Sequence, residues 1–328
     1  MIRPHHEVEN AAMNHIAILD DYQNAALASA DWESIKSAEI TVFNEYIGDE
    51  NAVAETLQPF EVVVAMRERT PFPASLIARL PNLKLLITTG MRNLAIDMEA
   101  AHENGVVVSG TQMLPYLAFE HAWALILAIT KNIPTEDRTM KAGGWQAGSG
   151  IGLNGKTVGI LGLGKLGSQS ARAGLAFGME VIAWSENLTN ERAAEHGAVR
   201  VEKDELFERS DVLTIHLLLS ERTRGLVGAR ELELMKPTAY LVNTSRGPIV
   251  DETALIEVLE KGRIAGAGID VYDTEPLPVD HPLRGLDNTV LTGHTGYVVS
   301  ELYELVYGEA IEGINAWIAG TPVRVLNA

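Results

Sequence analysis

Short apolar runs alternate along this chain with helical patterns. In the first third, apolar runs predict strands at His15–Leu19, Glu39–Phe43, Val62–Met66, Leu83–Thr88 and Val106–Ser109. Between them, helices are expected over Asn24–Ser37, Ala52–Leu57, Ala74–Leu80 and Asp97–Asn104. Strands that alternate with helices imply a parallel sheet with helices on both faces. Leu117–Lys131 then reads as a helix that is apolar nearly all round, a type usually buried in a core or an interface. Both uses are expected of it: a bridge between domains and a contact between subunits.

After the loop Lys141-Ala142-Gly143-Gly144-Trp145 the alternation resumes, with a distinct punctuation mark. The apolar run Lys156–Leu161 leads directly into Gly162-Leu163-Gly164-Lys165-Leu166-Gly167. A helix-like stretch, Ser168–Met179, follows, and then the strand-like Val181–Trp184. A Gly-x-Gly-x-x-Gly alone is weak evidence, because glycine is common in turns. Between a strand and a helix it points to dinucleotide binding. The first glycine permits the tight turn and the second lets backbone approach a pyrophosphate. The third lets helix and strand pack closely, with the helix N-terminus, Lys165 and Leu166 included, aimed at the phosphates. Further strands are expected at Val199–Val201, Val212–His216, Ala239–Asn243, Gly266–Val271 and Val290–Thr292. The last helix, Glu301–Ile318, is long enough to return to the first unit, which makes that unit discontinuous.

Length and composition narrow the function. A chain of 328 residues is expected to form two domains. With 46% hydrophobic and 21% charged residues it can bury a sizeable core. A net charge of −18 argues against nucleic acid or an anionic membrane as partner. The lack of cysteine excludes thiol chemistry, and the nine histidines show no metal-ligand spacing, so no metal is expected. Ala118–Ile129 is too short to span a membrane. The polar stretch 1–14 has no apolar signal core and is expected to be a disordered extension, with Met13 a candidate start. A cytoplasmic location follows as the default.

Three polar groups stand just after expected strands, on the edge where open α/β sheets bind ligands. Arg246 lies in Asn243-Thr244-Ser245-Arg246-Gly247, Glu275 follows Ile269–Thr274, and His294 follows Val290–Gly293. Singly, each is more readily a surface or structural residue. Jointly they suit reduction of a 2-keto acid. Histidine is the natural proton donor near neutral pH, and a carboxylate beside it favours the imidazolium. Arginine can hold the substrate carboxylate and polarise the keto oxygen.

With these motifs the chain resembles the D-isomer-specific 2-hydroxyacid dehydrogenase family. The matching segments are Gly162-x-Gly164-x-x-Gly167, Asn243–Asp251, Gly266–Pro276 and His294, and the resemblance runs from about Val62 to the last helix. It implies Arg246, Glu275 and His294 as the catalytic set, converging on the nicotinamide in a cleft between the domains. It also places Asp270 near the nicotinamide carboxamide, and Thr244 and His216 along the cofactor. The fold it implies is two doubly wound parallel-sheet domains. A Rossmann cofactor domain, residues 114–298, is inserted in a discontinuous flavodoxin-like substrate domain, residues 1–113 and 299–328. The family is commonly dimeric, so a homodimer joined through the cofactor domains is expected.

Departures from the family pattern define the open questions. Gly293-His294 replaces the common Pro-His, and His216-Leu217-Leu218-Leu219 lacks the usual proline. The glycine-rich turn that holds the substrate carboxylate in the family corresponds to Thr88-Thr89-Gly90-Met91-Arg92-Asn93. Thr89, Gly90, Met91 and Arg92 are therefore candidate substrate residues. Arg92 either binds the substrate or turns to solvent or to a carboxylate such as Glu68. After the second strand of the cofactor domain, Ser185 stands at the usual aspartate position and Glu186 follows. Serine tolerates a 2′-phosphate and Glu186 repels it, so NAD is expected, with NADP the alternative. Glu275 argues against formate oxidation, for which the relatives pair histidine with glutamine. A phosphite-type oxidation on the same triad and a non-catalytic NAD-sensing corepressor are the remaining alternatives.

Overall fold

The computed structural model describes residues 14–328. The extension expected over 1–14 lies outside the described residues except for Asn14, which opens the first strand. Two compact units are present. One holds the described residues up to Leu114 together with Val298–Ala328, and the other is Pro115–Tyr297.

The first unit is built on five parallel strands, β1 (Asn14–Ile18), β2 (Ala38–Val42), β3 (Val62–Ala65), β4 (Leu85–Thr88) and β5 (Val107–Gly110). Their order, β2-β1-β3-β4-β5, is that of flavodoxin-like sheets. Every residue of β3 and β4 is buried, as expected of parallel strands covered on both faces. The helix Ser300–Ile318 packs on this unit, touching β4 and the helix Ala26–Ser29. The chain end then joins the edge of the sheet: Leu326 N–H donates to the Val108 carbonyl at 2.8 Å. Arg324 fixes this segment through the Gly110 carbonyl at 3.0 Å and Glu312 at 2.8 Å.

One expectation fails here. Asn24–Ser37 is not a single helix but a four-residue helix, Ala26–Ser29, and a 3-10 turn, Trp32–Ser34. Ala30 between them is extended, and Ser29 turns its hydroxyl back onto the Ala25 carbonyl at 2.8 Å. Trp32 Nε1 then donates to the Ala26 carbonyl at 2.8 Å, so tertiary burial of the indole decides the break. The expected helix Ala74–Leu80 is likewise shorter, Ala74–Ile77.

The second unit carries seven parallel strands: β6 (Thr157–Leu161), β7 (Glu180–Trp184), β8 (Val199–Arg200), β9 (Val212–Ile215), β10 (Tyr240–Asn243), β11 (Gly266–Ile269) and β12 (Thr289–Leu291). Their order is β12-β11-β10-β9-β6-β7-β8. The chain winds outward from β6 through β7 and β8, then returns to β9 on its other side. The switch point therefore lies between β6 and β9, where open α/β sheets form a crevice for ligands. The helix Leu117–Thr130 packs on β10, β11 and β12, with Trp123, Leu125, Ile126 and Ile129 buried. A further helix, Ile133–Lys141, starts after the left-handed Asn132 and buries none of its residues.

Candidate functional site

The glycine turn meets its steric expectations residue by residue. Gly162 has φ +103°, and a Cβ there would lie 2.7 Å from the His216 carbonyl oxygen at the end of β9. A Cβ on Gly167 would lie 2.1 Å from the Gly162 carbonyl oxygen, so the helix Lys165–Ala176 can approach β6 only through a glycine. Gly164 is different: nothing lies within 4 Å of the position its Cβ would take. It caps the helix without a side-chain hydrogen bond. The open space over Gly164, at a bare helix N-terminus, fits a pyrophosphate.

Ser185 and Glu186 follow β7, Ser185 half-buried and Glu186 exposed. His216 does not point outward. Its Nε2 lies 2.9 Å from Ser170 Oγ and 3.1 Å from Thr214 Oγ1, and burial pushes its pKa down to about 4. A neutral ring thus ties β9 to the glycine-turn helix. Thr244 is buried just beyond β10.

The catalytic candidates occupy the C-terminal ends of three adjacent strands. Arg246, half-buried, follows β10, and its Nη1 donates to the Ser245 carbonyl at 2.7 Å. Asn243 holds this turn, donating to the Arg246 carbonyl at 3.0 Å and accepting from Ser245 N–H at 3.0 Å. Glu275 and His294 are in direct contact: His294 Nδ1 lies 2.6 Å from Glu275 Oε2. The other oxygen of Glu275 accepts from Tyr272 N–H at 3.0 Å. Tyr297 packs edge-on against the His294 ring, centroids 5.6 Å apart. His294 has φ +55°, a left-handed conformation uncommon outside glycine.

Asp270, at the end of β11, is 1% exposed. Its carboxylate accepts from Thr292 Oγ1 at 2.6 Å, Thr295 N–H at 2.8 Å and Gly296 N–H at 2.9 Å. Burial alone would raise its pKa. The hydrogen bond and charge of His121, 3.2 Å away, outweigh this with Thr292 and Thr295, and hold the carboxyl below its ordinary range. His121 lies in the apolar helix, where the sequence pattern gave it no role.

In the first unit, the turn after β4 is anchored by a residue that sequence reasoning passed over. Arg67 has φ +54°, and its N–H donates to Thr89 Oγ1 at 2.9 Å while Nη1 donates to the Thr89 carbonyl at 3.0 Å. Its guanidinium lies over Gly90, 2.1 Å from the position of a Cβ there. Glu68 pairs with Arg67 at 3.4 Å, not with Arg92. Arg92 and Met91 are exposed. Gly90 N–H is taken by Thr111 Oγ1 at 3.0 Å. The next two N–H groups, of Met91 and Arg92, make no hydrogen bond among the described residues. The signal for Arg67 was its place right after a buried strand, in Met66-Arg67-Glu68-Arg69-Thr70.

A doubly wound sheet with a glycine turn at its switch point is the arrangement that binds dinucleotides, and here a histidine–carboxylate pair stands on the same edge. Residues 123–296 match the family model of the D-isomer specific 2-hydroxyacid dehydrogenase NAD binding domain. A D-3-phosphoglycerate dehydrogenase of Archaeoglobus fulgidus is 38% identical over 268 residues, which are 81% of this chain and 51% of that protein. The chain thus spans about half the length of that relative. A glyoxylate reductase of Aeropyrum pernix is 38% identical over 263 residues, 77% of this chain and 78% of that protein. The crystal structure of a phosphoglycerate oxidoreductase from Vibrio cholerae matches with a TM-score of 0.90 at 38% identity, covering 94% of this chain and all of that one. The chain belongs to the D-isomer specific 2-hydroxyacid dehydrogenase family, and the match to its NAD binding domain model falls within the second unit. Among the described residues, no helix is long and apolar enough to cross a membrane.

Proposed function

We propose that the protein interconverts a 2-keto acid and a D-2-hydroxy acid with NAD as cofactor and Arg246, Glu275 and His294 as the catalytic residues. The observation that carries this reading is the 2.6 Å contact between His294 Nδ1 and Glu275 Oε2 on the strand edge that also carries the glycine turn. Gly162, Gly164, Lys165, Leu166 and Gly167 hold the pyrophosphate, and the exposed Glu186 favours the unphosphorylated ribose of NAD over NADP. When bound, the nicotinamide supplies the hydride that reduces C2.

The protein's own groups handle the charge and the proton. Arg246 binds the substrate carboxylate and polarises the keto oxygen with its planar fork. Glu275 engages Nδ1 of His294, which leaves Nε2 to deliver a proton to the oxygen as it becomes an alkoxide. The carboxylate stabilises the doubly protonated ring that carries this proton, and the ring is left neutral once the proton has gone to the oxygen. In the first unit, the N–H groups of Met91 and Arg92 are free to take a carboxylate, as successive backbone donors do in anion-binding nests. The exposed Arg92 adds positive charge to that turn in a protein of net charge −18, which favours keto acids that carry a second anionic or polar group.

We further propose a homodimer joined through the second unit, and a cytoplasmic location. On the second unit Ile133, Met140, Trp145 and Phe177 are exposed apolar side chains, Trp145 by 75%, and Phe177 stacks on Trp123 at 5.1 Å. Such apolar surface requires cover. A monomeric mass by light scattering at micromolar concentration contradicts the dimer.

The test of function is initial-rate oxidation of NADH against glyoxylate, hydroxypyruvate and larger or phosphorylated 2-keto acids, repeated with NADPH. Turnover of at least one keto acid is expected, with lower KM for NADH and a D-configured product. If no 2-keto acid is reduced faster by the wild type than by His294→Asn, the reading fails.

A further inference from the structure

The turn that carries His294 is held largely by one buried residue, Asp270, through its carbonyl and its carboxylate. His294 N–H donates to the Asp270 carbonyl at 2.7 Å, and Thr292, Thr295 and Gly296 donate to the Asp270 carboxylate. Thr292 N–H is tied to the Ile269 carbonyl at 2.9 Å, and its own carbonyl accepts from the Tyr272 hydroxyl at 2.8 Å. These bonds offset the cost of the left-handed backbone of His294, φ +55°, which residues other than glycine adopt seldom.

The carboxylate is in turn held from outside the turn by His121, on the helix Leu117–Thr130. His121 Nε2 lies 2.9 Å from Thr292 Oγ1 and 3.2 Å from Asp270 Oδ1. Counting hydrogens fixes its role. Thr292 has one hydroxyl hydrogen, and the 2.6 Å contact commits it to Asp270 Oδ1. Towards His121 the hydroxyl can therefore only accept, and the Asp270 carboxylate can only accept as well. Nε2 of His121 must carry a hydrogen, shared between the two oxygens. One imidazole N–H thus clamps the hydroxyl and the carboxylate on which the His294 turn depends.

We propose that His121 is a positioning residue for His294, acting through Thr292 and the Asp270 carboxylate. The proposal rests on the reading of His294 as the proton donor, and deepens it. Loss of the Nε2–H donor leaves a buried carboxylate short of a partner, in a turn with no slack. The His294 ring then loses its alignment with Glu275, and a displacement of about 1 Å is enough to cost about a hundredfold in rate.

The test compares His121→Leu, which removes the donor, with His121→Gln, whose side-chain amide can supply a hydrogen at the same reach. One readout needs no substrate. The His294 Nδ1–H proton donated to Glu275 gives a downfield NMR signal in the protein alone, assigned by its loss in His294→Asn. In His121→Leu this signal is expected to shift or broaden, and kcat for the best keto acid to fall at least about tenfold with KM for NADH changed less than about twofold. In His121→Gln both are expected to recover most of the way. If His121→Leu does not fold, Thr292→Val removes the shared hydroxyl and is expected to change the signal in the same way. An unchanged signal in His121→Leu or, failing it, in Thr292→Val, or a His121→Gln protein as impaired as His121→Leu, overturns the proposal. A signal that responds as expected in a protein that reduces no keto acid upholds the positioning and rejects the assigned reaction instead.

Discussion

A Cβ on Gly247 would lie 2.1 Å from the carbonyl carbon of Tyr272, so the turn that carries Arg246 rests directly on the segment that leads to Glu275. The neighbouring backbones on β10 and β11 thereby fix the spacing of the two catalytic candidates. Gly247→Ala should force them apart. A fall of about a hundredfold in kcat/KM is expected from such a displacement, with a lower Tm. Steady-state kinetics beside a thermal melt would show it, and a variant with wild-type kinetics would mean that the spacing is not critical.

Glu275→Gln keeps the shape of the contact with His294 and removes its charge. The amide still orients the ring but no longer stabilises it when protonated. A drop in kcat of about 10- to 100-fold is expected, with KM for the keto acid nearly unchanged. Equal losses in kcat and in keto-acid affinity would point to a binding role for Glu275.

The two glycines at the helix start should respond differently. At Gly164 a Cβ meets nothing within 4 Å, so Gly164→Ala should leave Tm within about 2 °C of wild type while weakening NADH binding about tenfold or more. At Gly167 the Cβ meets the Gly162 carbonyl oxygen at 2.1 Å, so Gly167→Ala should lower both Tm and affinity. NADH fluorescence titration and calorimetry separate the cases. Unaltered NADH affinity in Gly164→Ala would remove the pyrophosphate from this turn.

His216 makes stability depend on pH. Its pKa is depressed by burial from 6.5 to about 4, so the neutral ring is favoured in the folded state. Above pH 6.5 both states are neutral and nothing is lost. As pH falls from 6.5 towards 4, the unfolded chain takes up a proton that the folded protein refuses, and stability declines. The full interval corresponds to about 3 kcal/mol, and the residue's partial solvent exposure makes the actual loss smaller. Urea titrations at pH 7 and pH 5 should show a smaller difference in His216→Gln than in wild type. An equal difference in the two proteins would mean that the ring titrates alike in the folded and unfolded states.

Arg92→Ala should raise KM about 10- to 100-fold for keto acids with a second anionic group, and little for glyoxylate. Arg67→Ala should be more damaging for all substrates, because it also removes the hydrogen bond to the Thr89 carbonyl. Equal KM values across the panel for Arg92→Ala and wild type would return Arg92 to a solvent-facing role.

The elements most legible in the sequence were the local and periodic ones. The fully buried, mostly apolar strands β3, β4 and β6 and the glycine turn declare themselves because parallel strands are covered on both faces and because a left-handed φ calls for glycine. The misread segment, Asn24–Ser37, broke because Trp32 gains a hydrogen bond to Ala26 and burial that a continuous helix denies it. Local propensity cannot weigh that gain.

For the site, chain order alone placed Arg246, Glu275 and His294 after strand ends, since a strand's C-terminal edge follows from its direction. The sequence thus determined the chemistry available and the edge on which it stands. Which side chains meet was decided by folding. The 2.6 Å contact joins residues 19 positions apart. Arg67 reaches Thr89 across 22, and His121 meets Thr292 across 171. Such partners share no period or motif. They become neighbours only because β10, β11 and β12 lie side by side under the helix Leu117–Thr130 and because β3 lies beside β4. The physical reason is that a parallel sheet brings to one edge loops that the chain keeps far apart, and the buried polar groups there must find donors and acceptors among whatever the sheet delivers.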